Sequence, residues 1–448
     1  MIGQMDLDRI IYIVLPIFLI LGNCWFFVYK IQKKTKVFPL FNLGVICLFT
    51  TAIYSAFPLI NYVAGNFEWT RNSDLRLFIY DPTPKELGQI AYRSITYIVS
   101  FSLCYLGFSK FGINQLKYPK NYRTYLYPIL FPLLIFSVYF IVLDIFFNVS
   151  YNPSYSDRLR GLRLPDNLPV FVQQISHNLF NIVVLLKQAL LLVLIKDWQK
   201  KKIRWIIITW LICEVLITIL TLGKRTELVL LLLTFILLFH KFVKPFTIKK
   251  LLLIGSLGLV LFLTYGVIRD VPGGIQEFST NSLSYFSMNN EMQAVFATNF
   301  DMLRRKNDGM LNDIPFQIYI YDLISIIPSQ LLPFKEYDPS DWYIEIIGLS
   351  GKGLGYMFGV ISQAIIGFDW IELIIRGSVL GGLFAFIHNF YEKHVTSFWV
   401  TFFYLCMCVW SYYTYRGTTF YFNYYIVYRF IPVILIVSLL KQAFQKGN

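Results

Sequence analysis

The stretch RIIYIVLPIFLILGNCWFFVY, from Arg9 to Tyr29, carries no charge between its first residue and Lys30. At 1.5 Å per residue, about 20 residues of helix cross ~30 Å of hydrocarbon. No water is present there to satisfy backbone amides, so such a run must be helical. A lipid-facing strand would alternate polar and apolar residues, whereas this run is apolar all round. Comparable runs follow at 38–60, 88–109, 126–147, 168–195, 205–222, 226–240, 251–268, 368–391, 396–414 and 420–440. Composition agrees, because the 448 residues are 56% apolar and only 15% charged, against roughly 45–50% and about 25% in soluble domains. The expectation is one integral membrane domain over 1–448, all-α and polytopic, with about 11 transmembrane helices.

The net charge of +14 would suit a nucleic-acid partner, but its distribution does not. The connections Lys30–Lys36, Lys110–Arg123, Lys196–Arg204, Lys241–Lys250, Tyr391–Val395 and the tail from Lys441 hold 20 of the 40 Lys/Arg and only two of the 26 acids, Asp197 and Glu392. An excess of positive charge confined to one alternating set of short loops places those loops in the cytoplasm. The N-terminus is then outside and the C-terminus cytoplasmic. Met1–Arg9 contains Asp6 and Asp8 without a basic leader, so the first span is expected to be retained rather than cleaved. All six cysteines fall in apolar spans and are expected to act as small hydrophobes, with neither a disulfide framework nor a metal site.

The other connections are longer. Asn61–Leu87 and Asn148–Asn167 are polar, and the loop of about 269–356 is by far the largest. Its aromatics (Phe278, Tyr285, Phe286, Phe296, Phe316, Tyr319, Tyr321, Trp342, Tyr343) and amphipathic pieces such as Phe316–Leu332 point to short helices folded as a cap on the outer face. No phosphate-cradling Gly-x-x-x-x-Gly-Lys-Ser/Thr occurs, and the cytoplasmic side is too thin for a site. The work is expected outside.

Ionisable residues within spans are costly and mark candidate sites. Lys187 and Glu214 lie at matching heights above Lys196 and Arg204 on consecutive helices and are expected to pair. Arg93 and Asp144 match in the same way on the third and fourth spans. Arg225, Arg269, Arg376, Arg416 and Arg429, with His177, come from several spans near one outer level. Planar guanidinium forks suit phosphate oxygens, which suggests an anion site. His240, His388 and His394 read as structural. The tyrosines at 412–415 and 420–428 fit either an interfacial aromatic belt or a sugar-stacking wall.

Three features resemble a known family. The first is the turn Thr221-Leu222-Gly223-Lys224-Arg225-Thr226-Glu227, followed by a leucine-rich helix, the basic turn Lys241–Lys250 and a helix ending in Val267-Ile268-Arg269-Asp270. The second is the long outer loop closing on Gly351-Lys352-Gly353-Leu354-Gly355, Phe358-Gly359 and Ile366-Gly367-Phe368, before a helix with Arg376-Gly377 and Gly381-Gly382. The third is the tyrosine-rich turn with Arg416-Gly417, and Arg429 in the last span. Together, over about the C-terminal half, these resemble bacterial O-antigen and capsular repeat-unit polymerases of the Wzy type; the N-terminal half matches only in topology.

The resemblance implies a multi-pass protein of the bacterial plasma (inner) membrane. It would be a glycosyltransferase that moves a growing glycan from undecaprenyl diphosphate onto a newly flipped lipid-linked repeat unit, with no cofactor. Its partners would be the undecaprenyl-diphosphate-linked glycan, membrane lipids and a chain-length regulator protein, with no nucleic acid. Arg225 and Arg269, then Arg416, Arg429 and Arg376, would hold the diphosphate, stabilising the charge that develops on it. His177, Glu227 or Asp270 would take the acceptor hydroxyl proton. The same residues also admit an O-antigen ligase, although the 269–356 loop has no histidine to serve as a ligase base. A polyprenyl-phosphate-dependent glycosyltransferase and a lipid-linked glycan flippase stay open as well, the last disfavoured by the absence of a repeat.

Overall fold

The structure is a computed structural model describing residues 7–64, 82–110, 121–147, 170–220, 225–247, parts of 249–258, 291–311, 314–327, 331–332, 338–348 and 358–446. All regular structure among the described residues is helical. In chain order the helices are α1 (Leu7–Thr35, with a π-helical turn at Ile10–Val14), α2 (Leu43–Val63), α3 (Pro84–Phe108), α4 (Leu126–Phe147), α5 (Val170–Ile195), α6 (Lys201–Leu220), α7 (Arg225–Phe242), α8 (Glu291–Asn307), α9 (Phe316–Ile324), α10 (Pro339–Ile346), α11 (Val360–Ile366), α12 (Trp370–Lys393), α13 (Phe398–Trp410) and α14 (Phe422–Gln445, with a π-helical turn at Ile426–Phe430). A helix coincides with each expected span except 251–268, most of which lies outside the described residues. Among the described residues five are long and apolar enough to cross a membrane: α1, α2, α4 with the turn before it, α12 and α14. The long segment 269–356 carries the short helices α8, α9 and α10.

Local chemistry sets the ends. Thr83 and Glu86 form a reciprocal capping box at the start of α3, with Pro84 in the first turn, satisfying amides that have no partner inside the helix. Asn42 caps α2 by accepting from the Val45 amide at 3.1 Å, and the same oxygen accepts from the Tyr105 hydroxyl at 2.9 Å. Lys36, in the left-handed region at φ 60°, stops α1.

The chain divides into two compact units, the first of residues 1–113, 275–390 and 410–423, the second of 114–274, 391–409 and 424–448. In the first, α2 is the central helix, 72% of its apolar window being buried, against 28% for α1 and 33% for α12. The outward faces of α1 and α12 instead carry Phe18, Trp25, Ile371, Ile375 and Phe386, apolar surface that water would not tolerate and lipid does.

Contacts along α3 fix directions. Tyr92 of α3 donates to the Ile11 carbonyl, Ser102 to Asn23 at 2.8 Å, and Tyr105 packs on Phe27, so α1 and α3 run parallel. Gly377 and Gly381 of α12 lie against the Tyr97 and Phe101 carbonyls, where an added Cβ would come within 2.6 and 2.4 Å of oxygen. Asn389 then meets the Phe108 carbonyl and the Lys110 amide. Contact positions rise together on both helices, so α3 and α12 also run parallel.

In the second unit the Lys187–Glu214 pair expected between α5 and α6 is present, at 2.6 Å, with the Trp210 indole donating to the same carboxylate at 3.0 Å. At one end of this unit, basic connections converge. Lys196 lies 4.0 Å over the Tyr122 ring, Lys441 lies 4.0 Å over Tyr125, and Asp197 receives Arg123 and Lys200 at 3.0 and 3.1 Å. Partial burial pushes the Asp197 carboxyl up, but the hydrogen bonds from Arg123 and Lys200 outweigh that and hold it below its ordinary range. The His240 ring accepts from the Phe246 amide at 3.0 Å, the structural use expected of it.

Two outcomes follow. Gly381→Leu, which must displace the Phe101 carbonyl, is expected to destabilise by about 3 kcal/mol or more, whereas Gly382→Ala, with open space around it, leaves the melting temperature unchanged; thermal unfolding in detergent distinguishes the two. Because the folded Asp197 pKa is lowered, its stabilisation is present above the unfolded carboxylate pKa of about 3.9 and is lost as pH falls through the folded value. The melting-temperature gap between the parent and Arg123→Ala should therefore be open at neutral pH and close on acidification.

Candidate functional site

The turn between α13 and α14 collects the tyrosines and Arg416 that the sequence leaves open as an interfacial belt or a sugar-stacking wall. Residues Tyr412, Tyr413, Arg416 and Tyr421 are half-exposed, while Thr414, Tyr415, Thr418 and Thr419 are buried beneath them. The Tyr412 and Tyr413 rings are 4.0 Å apart, Tyr421 is 5.9 Å from Tyr413, and the Arg416 guanidinium lies 5.6 and 5.5 Å over the first two rings. Aromatic faces offer apolar area to the C–H faces of sugars, and a guanidinium over them keeps its charge while its N–H groups point away.

The buried residues hold this face in place. Tyr415 shares a 2.8 Å hydrogen bond with Ser94 and packs between Tyr54 and Tyr97. Tyr97 donates to the Thr414 carbonyl at 3.1 Å. From the other side, α11 approaches so closely that a Cβ on Gly359 would sit 2.8 Å from the Tyr415 carbonyl oxygen. α11 is itself tied to α8, the Ser362 amide and hydroxyl both donating to Asn299, at 3.1 and 2.7 Å.

Arg376, expected on a diphosphate, is committed elsewhere. Its Nε donates to Glu372 at 2.6 Å, and its Nη1 donates to Asp322 of α9 and to Thr419 at 3.2 Å. Asp322 also accepts from the Phe420 amide at 3.3 Å, and Glu372 from the Phe368 amide at 2.9 Å. Burial and, secondarily, Glu372 push the nearby Tyr319 phenol above its ordinary pKa. Glu372 was not singled out, although its place one turn before Arg376 is the spacing of an i,i+4 ion pair. Asp322 was not singled out, although it is the only charge in the apolar helix α9.

The pairing of Arg93 with Asp144 is corrected. The Arg93 fork meets both oxygens of Asp369 at 2.8 Å, with Trp370 4.7 Å beneath the guanidinium and Lys306 3.7 Å from the same carboxylate. Matching heights on successive helices do not decide which helix is adjacent. The parallel packing of α12 on α3 does, and it delivers Asp369, held in the left-handed region at φ 54°, to Arg93.

Arg429, in the second unit, differs from the other two arginines. It sits in the π-helical turn of α14, its guanidinium 4.1 Å over the Tyr425 ring. Among the described residues no carboxylate reaches it, and none supplies an acceptor for its buried Nε. Arg225, Glu227 and His177 lie on α7 and α5, but their side chains are outside the described residues, as are Arg269 and Asp270 altogether.

Asp369→Asn keeps a residue that tolerates the left-handed backbone but leaves Arg93 buried without its countercharge. The expected cost is ~3–5 kcal/mol, read as a drop in melting temperature that Lys306→Gln does not reproduce.

No protein-family model, curated protein or solved structure matches the chain.

Proposed function

We propose that the chain is a multi-pass glycosyltransferase of the bacterial plasma membrane that polymerises undecaprenyl-diphosphate-linked repeat units on the outer face, with about eleven spans, an outer N-terminus and a cytoplasmic C-terminus. The observation that carries this reading is Arg429. A permanent cation in a helix apolar enough to cross a membrane, cushioned on Tyr425 and with a buried Nε that no described acceptor reaches, is costly unless an anion completes it. The π-helical turn that holds it is a feature found frequently at functional sites. A lipid diphosphate is the anion that such a membrane-level guanidinium would meet.

The rest of the architecture is consistent with that chemistry. Parallel α1, α3 and α12 match the first, third and ninth spans of the proposed topology, all of which cross in the same direction. The convergence of Lys196, Lys200, Arg123 and Lys441 at one end of the second unit suits the cytoplasmic side. The tyrosine–arginine face at 412–421 suits a glycan. In the transfer, the acceptor hydroxyl attacks the sugar C1, the C1–O bond to the diphosphate breaks, and the leaving diphosphate takes the electron pair. Arg429, with Arg225 and Arg269, would stabilise that developing charge, and His177, Glu227 or Asp270 would accept the hydroxyl proton.

Glycan laddering in cells lacking the native gene tests the reading. The parent chain should restore a ladder of repeat lengths, and Arg429→Ala should reduce it to the single-repeat band, a loss of about 100-fold or more in transfer. Long glycan left intact but unattached without the gene would make the chain a ligase. Lipid-linked repeats trapped on the cytoplasmic side would make it a flippase.

A further inference from the structure

We propose that Asp322 and Arg376 are positioning residues for the transfer, locking the tyrosine–arginine face to the long inter-span segment rather than touching the diphosphate; the inference rests on the transferase reading above. The lock is one guanidinium shared by three parts of the first unit. Arg376 of α12 bonds to Glu372 one turn earlier, to Asp322 of α9 and to Thr419 of the turn. Asp322, whose side chain is 5% exposed, bonds in addition to the Phe420 amide. The next residue, Tyr421, packs on Tyr413, over which the Arg416 guanidinium lies. An unbroken chain of contacts therefore runs from α9 through Asp322 and Phe420 to Arg416.

Charge decides between holding substrate and holding the turn. Arg376 faces two carboxylates, so this cluster is net negative without any ligand, and a diphosphate arriving at it would be repelled. A guanidinium that is 13% exposed and bonded at Nε and twice at Nη1 has three of its five N–H donors committed to holding these segments. Its planar fork also explains why arginine stands here, since lysine offers a single point of charge and cannot span Glu372, Asp322 and Thr419 in one plane. The buried charges are compensated by hydrogen bonds on both carboxylates, the arrangement in which ionic groups specify a unique geometry. Small errors in that geometry are costly for a transferase, because misplacing a group by about 1 Å can lower turnover by about 100-fold.

The test uses the full-length protein in lipid nanodiscs. Its probe is lipid-linked repeat units extracted from cells lacking the gene. Hydrogen exchange of the peptide covering 411–421 is measured alongside the kinetics. Asp322→Ala should speed exchange at the Phe420 amide by about tenfold and lower kcat by about tenfold or more, with KM for the extracted repeat unit within about twofold of the parent. Asp322→Asn, which keeps an oxygen for that amide, should retain the exchange protection and recover part of kcat, and it serves where the alanine variant does not fold. Arg376→Lys should lower kcat without raising KM. A rise in KM at unchanged kcat for Arg376→Lys would make Arg376 a substrate contact and overturn the proposal. So would a loss of kcat in Asp322→Ala with exchange of 411–421 unaltered, or full activity in both variants. If the parent itself transfers nothing while Asp322→Ala still loosens 411–421, the transferase reading fails and the lock stands as a structural one.

Discussion

The close parallel contact of α12 with α3 is the constraint on which the first unit depends. Two helices with ordinary side chains between them pack 8–10 Å apart. Gly377 and Gly381, one turn apart, let the α12 backbone reach the Tyr97 and Phe101 carbonyls, as small-residue seams do where helices meet in lipid. Lipid offers no hydrophobic drive for helices to associate, so this proximity has to be held by packing and by polar bonds at the ends. Arg93–Asp369 supplies one end and Asn389 with the Phe108 carbonyl the other. With α12 fixed in this way, Glu372 and Arg376 are presented to α9 and to the 418–420 turn, and the tyrosine–arginine face inherits its position.

Charge economy within that arrangement separates two kinds of arginine. Arg93 and Arg376 are bonded to carboxylates that also accept from backbone amides or sit beside a second cation. At such sites the guanidinium already has its countercharge, and their value lies in fixing which segments are neighbours. Arg429 has an aromatic face and no described carboxylate. A cation–π contact offsets part of the desolvation of a guanidinium, on the order of 2 kcal/mol when desolvated, but it does not neutralise the charge. An arginine with no carboxylate among the described residues is one that the diphosphate proposed above would satisfy.

How much of this was legible in the sequence follows from the range of the forces concerned. The all-helical class was legible, and five of the apolar runs form helices long enough to cross a membrane among the described residues, because crossing hydrocarbon imposes a length and an all-round apolarity on the sequence. Lys187–Glu214 was legible because α5 and α6 are joined by a short turn, which leaves each the other's neighbour. Arg93 was not, because its partner lies 276 residues away on a helix that only the glycine seam brings near; height can be counted along a helix, but adjacency cannot. Arg376 was recognised as a charge out of place and assigned to substrate, since its second carboxylate, Asp322, arrives from the long segment with no periodic signal to announce its direction.

The same reasoning explains why a long segment between spans should carry so little charge where it docks. α9 carries no charge apart from Asp322, which meets Arg376 of α12 and the Phe420 amide of the turn. A helix lying on a membrane protein through apolar contacts alone can slide or rotate, because such contacts are non-directional. One buried carboxylate, bonded at once to a guanidinium and to a backbone amide, removes that freedom: displacing it by a few ångströms leaves a buried charge and an N–H unpaired together. A single acid in an otherwise apolar helix therefore sets register as well as attachment, which is the property required if that segment is to hold the 418–421 turn still beside a reacting glycan.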